Sequence, residues 1–286
     1  MISFRFHIVS LAAVFMGIAL GIVLGTAFIN DATIKHLETT GREVRTERND
    51  ARAQVGVWSR FGDDAEASLV EGRLEGVRVL TIVPEGINGA VTDKMRSLLA
   101  TAGAIDAGTV TVANAWGDTP APTSDIAAAL NIVGPSSIAS VTQTAADRLA
   151  AEFAAGGGPT LGALVDANLA RLSAGDPTAT PGGPSRYLVI DDGVPSGLLE
   201  PLARSLAAQV PKSVLVADAG PDETSGQSLV KVMRDKPQSA LFSTVDHLAT
   251  VPGHIAAILA LHDFDRGATG DYGSCCGADR AAPAAG

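Results

Sequence analysis

The sequence predicts an α/β protein: an N-terminal transmembrane helix, a helical stalk, and an extracytoplasmic α/β domain around a mostly parallel sheet. Three observations predict it. Residues 8–29 carry no charge. Residues 31–72 are polar and dense in charge. From 76 to 264, short β-branched runs alternate with segments of helical spacing, the pattern of strand–helix–strand units.

The uncharged run Ile8–Ile29 (IVSLAAVFMGIALGIVLGTAFI) has 22 residues, and Ala13, Gly17, Gly21 and Gly25 place a small residue at every fourth position. Its length matches the hydrocarbon core of a bilayer. Small residues four apart share one helix face, where a second helix can approach closely. A signal peptide is the alternative reading, with Gly25-Thr26-Ala27 as a cleavage step. Its apolar core is about 7 to 15 residues, shorter than this run. Arg5 flanks one end, while Asp31, Lys35, Glu38, Arg42 and Glu43 nearly cancel at the other. The positive-inside rule then favours residues 1–7 as a cytoplasmic tail, with the bulk exported.

Residues 31–72 form the stalk. A heptad frame places Ile34, Gly41, Arg48, Val55 and Gly62 at one core position, and Leu37, Val44, Ala51, Trp58 and Ala65 at the other. Two glycines and an arginine interrupt that seam, so a coiled coil and a single solvated helix both remain open. If the stalk pairs, it and the glycine face act on one homodimer.

The α/β domain spans 76–264. Val77–Val83 (VRVLTIV) reads as a strand, and Ala90–Ala102 as a helix with Val91, Met95, Leu98 and Leu99 on one face. Thr109–Ala113 is a second strand. Ser124–Leu130, Thr142–Ala155 and Leu161–Leu172 have helical spacing, with Gly156-Gly157-Gly158-Pro159 breaking the chain before the last. Gly175–Ser185 is rich in turn residues and reads as a loop. Strands follow at Tyr187–Ile190, Lys212–Ala217 and Ala240–Val245, and helices at Gly197–Gln209, Gly226–Asp235 and Pro252–His262. Residues 265–286 lack apolar content and read as a disordered tail.

Composition excludes several functions. The net charge is −10 with no basic patch, which argues against nucleic acid. Aromatic residues make up only 4% of the chain, too few for recognition by stacking. No Gly-x-Ser-x-Gly, His-Glu-x-x-His or Gly-Lys-Ser/Thr phosphate loop occurs.

What chemistry remains is sparse. Three acidic or glycine turns follow strands: Glu85-Gly86 with Gly89, Asp191-Asp192-Gly193, and Asp218-Ala219-Gly220. Carboxylates beyond strand ends can hold a divalent metal with a phosphate ester. The same residues are ordinary caps and turns, and no catalytic residue is assigned. His247, His254 and His262 lie near one another in sequence, but His254 and His262 are eight apart on one expected helix, about 80° apart in rotation and two turns apart, too far to share a metal. His262-Asp263 reads as a capping pair at the helix end. Cys275 and Cys276, the only cysteines, offer soft thiolates of the kind that bind copper(I). They are weak metal candidates because they stand in the expected tail.

The chain as a whole resembles the actinobacterial copper-transporter family. Two stretches carry the resemblance: MISFRFHIVSLAAVFMGIALGIVLGTAF at the N-terminus and ILALHDFDRGATGDYG from Ile258 to Gly273. The resemblance implies copper export and copper homeostasis in the cell envelope, with no settled copper site to carry over. It also implies a second role, a dimeric septal scaffold that regulates a peptidoglycan hydrolase together with a cytoplasmic membrane partner. The expectation is therefore a non-enzymatic, single-pass envelope protein of the copper family, without a resident cofactor. The scaffold is the alternative, and a phosphate-ester enzyme comes third.

Overall fold

A computed structural model describes residues 4–28, 31–116, 122–133, 137–173, 175, 177, 183–193, 197–220, 228–235 and 239–284. The chain divides into two units, Met1–Arg60 and Phe61–Gly286.

The first unit is helical. Helix α1 spans Phe4–Phe28 and helix α2 begins at Asp31, running to Val70 in the second unit. Within α1, Phe6–Gly25 is long and apolar enough to cross a membrane, and its described side chains are exposed. At about 1.5 Å per residue such a helix reaches the thickness of the hydrocarbon core. The described side chains of α2 up to Arg60 are exposed along nearly its whole length.

The second unit is a three-layer α/β domain, as the alternation predicts. Strands β1 (Arg78–Pro84), β2 (Ile105–Val112), β3 (Ala170–Ser173), β4 (Arg186–Asp191), β5 (Val214–Asp218), β6 (Phe242–Val245) and β7 (Asp271–Tyr272) form one sheet in the order β3-β2-β1-β4-β5-β6-β7. All neighbours are parallel except β2 and β3. The central strands are buried on both faces, which explains their unbroken apolar runs.

Helices α4 (Pro122–Ala129), α5 (Ile138–Ala155), α6 (Thr160–Asp166), α7 (Leu199–Gln209) and α8 (Leu229–Arg234) cover one face. Helices α3 (Gly89–Thr101) and α9 (Val251–Asp263), with Val70 at the end of α2, cover the other. Helix α3 buries Val91, Met95, Leu98 and Leu99, the stripe read from its spacing, and Asn88 caps it by accepting from the Ala90 amide at 3.0 Å. The Ser137 side chain caps α5 at its start, and Gly156 ends it at φ 76°. A left-handed C-cap of this kind suits glycine.

Two expectations fail. The helix expected over 161–172 is two elements. Helix α6 stops at Asp166, Asn168 turns at φ 57°, and β3 then pairs antiparallel with β2. Asparagine tolerates that left-handed turn, and four residues of strand are too few to show a period of two.

The second failure is the tail. Residues 265–286 were expected to be disordered, yet those described are packed. Phe264–Arg266 forms a 3-10 turn, β7 pairs with β6, and Tyr272 is buried in the core. Buried polar groups of the domain hold this segment, and they leave no trace in its own hydropathy.

Candidate functional site

The strand order reverses between β1 and β4, and in open α/β sheets ligands bind beyond the carboxyl ends of strands near such a point. The three acidic turns singled out in the sequence lie at those strand ends, and most of their carboxylates are engaged within the protein. Asp191, at the end of β4, is buried, and its Oδ2 accepts from the Leu229 amide at the start of α8 at 3.0 Å. Its register partner in β5 is Asp218, whose Oδ1 accepts from the Gly220 amide at 2.8 Å. Burial pushes the Asp191 carboxyl up from 3.8 to about 6, with Asp218 and Asp192 adding to the rise and the Leu229 amide opposing it. Glu85 accepts from the Asn114 amide and forms an ion pair with Arg171. These acids cap and tie loops rather than converging on one point.

A different group of side chains converges at the β6–β7 end of the sheet. Asp246 follows β6, and its carboxylate is almost wholly buried. Its Oδ1 accepts from the Ser274 amide at 2.8 Å. Its Oδ2 accepts from Arg234 Nη1 at 3.0 Å and the Cys275 amide at 3.3 Å. Arg234, equally buried on α8, also donates to Thr244 Oγ1, the Tyr272 carbonyl and the Cys275 carbonyl, at 2.7, 2.7 and 2.9 Å. One guanidinium and one carboxylate therefore fold the segment after β7 back over β6. Gly273 makes the approach feasible: a Cβ there would lie 2.1 Å from the Asp246 carboxylate.

This fold-back brings Cys275 beside His247. Ligand atoms of Asp246, His247 and Cys275 all lie within 4.8 Å of one another. Cys275 and Cys276 are joined as a disulfide between adjacent residues. His247 and Cys276 both hold left-handed backbones, at φ 55° and 58°, a conformation that histidine, like asparagine and aspartate, adopts more readily than cysteine does. The His247 carbonyl accepts from both the amide and the hydroxyl of Thr250 at the start of α9, so its backbone is fixed. Its ring remains partly exposed.

His254 and His262 go elsewhere. His254 Nδ1 lies 2.7 Å from Glu66 Oε1, and Glu66 Oε2 lies 2.5 Å from Lys94 Nζ. Burial holds the His254 imidazole below its ordinary pKa, against the pull of Glu66. His262 Nδ1 lies 4.0 Å from Asp265. His262 stands in the last turn of α9 as expected, but Asp263 pairs with Arg266 instead, and His262 Nδ1 is buried without a hydrogen-bond partner among the described residues. On α1, a Cβ at Gly17, Gly21 or Gly25 would meet nothing within 4 Å, and Ala13 is exposed.

Sequence reasoning picked out Cys275, Cys276 and His247 separately. It missed Glu66, Arg234 and Asp246, because each is one charged residue among many and only its burial distinguishes it.

A family model described as "Copper transport outer membrane protein, MctB" matches residues 1–283. The chain is 28% identical to the copper transporter MctB of Mycobacterium tuberculosis, over 97% of this chain and 98% of that one. It is also 28% identical to the copper transporter MctB of Mycobacterium leprae, over 96% of each chain.

Proposed function

The chain belongs to the MctB family, and from that premise we propose that it is an envelope protein that lowers copper inside the cell. The observation that carries this reading is the extent of the family match, which takes in the apolar helix, the α/β domain and the segment after β7 together. Copper is the cargo of this protein, not a resident cofactor. The one candidate span among the described residues, Phe6–Gly25, fixes the protein to a membrane, with Arg5 keeping the N-terminus inside and the α/β domain outside. Pairing of two copies through Ala13, Gly17, Gly21 and Gly25, extended by the α2 seam, supplies the oligomer that one apolar helix needs if it is to serve transport. The α/β domain acts by binding rather than catalysis. In support, Asp191, Asp218 and Glu85 are engaged in caps and ion pairs.

The scaffold and phosphate-ester readings draw no support from the comparisons. Deleting the gene and scoring both copper content and septation tests the proposal. Raised cell copper and copper sensitivity are expected. Unchanged copper with chained, unseparated cells would transfer the role to the scaffold.

A further inference from the structure

We propose that His247, Cys275 and Cys276 form a redox-gated site for one copper(I) ion, closed as a disulfide and opened by reduction. The proposal rests on the copper reading for its ion and on the β6–β7 geometry for its place.

The donors are two sulfurs and one imidazole. Copper(I) favours thiolate and imidazole over carboxylate. The Cys275 sulfur lies within 4.8 Å of a His247 ring nitrogen, and the disulfide joins it to the sulfur of the next residue, Cys276, which reduction frees to turn to the same ion. Asp246 belongs to the same group of ligand atoms, but both its oxygens accept hydrogen bonds from Ser274, Cys275 and Arg234. We therefore assign it as a positioning residue: it holds the Cys275 amide, and with it the sulfur, beside His247. The site stands on ordered backbone at both ends. Arg234 grips the Cys275 carbonyl from below, and the His247 carbonyl is tied to α9.

The gate follows from cysteine chemistry. A thiolate is a metal ligand, and two sulfurs bonded to each other offer none. Opening consumes two equivalents of an external thiol. The first, as thiolate, attacks one cysteine sulfur, breaks the Cys275–Cys276 bond and leaves a mixed disulfide with one free cysteine thiol. The second attacks the mixed disulfide at the external sulfur. It leaves as the oxidised external disulfide and frees the second cysteine. Copper(I) then displaces the proton from each thiol that it binds. Copper keeps its oxidation state throughout.

The test uses full-length protein in detergent, reduced with dithiothreitol or left oxidised, desalted without air, and titrated with copper(I) against bathocuproine disulfonate. The reduced protein should withdraw one equivalent of copper(I), and the oxidised protein none. Losing a group that only supports a metal ligand already costs about 10- to 100-fold in affinity. Cys275→Ser, Cys276→Ser and His247→Ala should each lose at least that much. Circular dichroism of each variant establishes that it is folded. Equal binding by oxidised and reduced protein would overturn the gate. Undiminished binding by folded His247→Ala would reduce the site to a bare dithiol and overturn the ligand set. Displacement of copper(I) by equimolar zinc would overturn the choice of ion.

The cell separates this proposal from the copper reading itself. If Cys275→Ser/Cys276→Ser restores normal copper content to a deletion strain, the site is wrong and the copper role stands. If deletion leaves copper content unchanged, the copper role falls, and with it the site's physiological ion.

Discussion

Glu66 and His254, 188 residues apart, meet with Oε1 and Nδ1 2.7 Å apart, and both are buried. The contact joins the end of α2 to α9. Lys94 on α3 completes it from the other carboxylate oxygen. A carboxylate, an imidazole and an ammonium thus fasten three helices on one face of the sheet.

Removing the carboxylate leaves the imidazole buried without its partner. Leaving a buried neutral imidazole without its hydrogen-bond partner costs about 1–3 kcal/mol, and because Lys94 is partly exposed it adds little to the loss in Glu66→Ala. The pH dependence follows from His254, whose pKa is lowered by burial. The folded state then binds its proton less readily than the unfolded chain does. Its stabilisation is present above the ordinary value of 6.5 and is lost as pH falls below it. Thermal unfolding between pH 8 and 5 should show this acid-side loss, and His254→Gln should flatten it. A profile of unchanged slope in the variant would contradict the assignment.

Asp191 works in the opposite sense. Its folded pKa of about 6 lies above the ordinary 3.8, so the folded state holds the proton more tightly than the unfolded chain. Ionisation therefore destabilises the fold as pH rises from 4 through 6, by about 3 kcal/mol in total. Asp191→Asn keeps an oxygen for the Leu229 amide and removes the charge. It should be more stable than the parent at pH 7, by about 1–3 kcal/mol, and the gap should close by pH 4. Denaturant titrations at the two pH values check it; a gap independent of pH would refute the burial argument.

Arg234 should decide whether the segment after β7 stays docked. Arg234→Met strands the Asp246 carboxylate and frees the Tyr272 and Cys275 carbonyls, for a loss of about 3–5 kcal/mol. Arg234→Lys retains the charge without the planar fork and should fall between the two. Limited proteolysis should cut the Met variant near 273–284 while the rest of the domain persists. Equal resistance in all three proteins would mean that the strand pairing of β7 alone holds the segment.

Gly21→Leu tests the proposed pairing of α1. Nothing within the chain lies near a Cβ at this position, so the substitution leaves the helix itself undisturbed. A bulky side chain on a small-residue face keeps two helices apart. Self-association in a membrane dimerisation assay should fall while insertion persists. Undiminished pairing would leave the α2 seam as the only basis for a dimer.

Local pattern along the chain is enough for the apolar span, the α/β class and most of the elements. These follow from local properties: uncharged length in residues 8–29, the Val91–Met95–Leu98–Leu99 stripe, and the apolar runs of central strands buried on both faces. What depends on distant partners emerges only on folding. β3 exists because β2 offers an edge to its four residues, and the segment after β7 is ordered because Arg234 and Asp246 satisfy its backbone. Cys275 and His247 became neighbours for the same reason. Hydropathy records what a segment buries of its own surface. It carries no record of a carboxylate 28 positions away whose Oδ1 accepts from the Ser274 amide, and in this protein that bond helps place the candidate copper site.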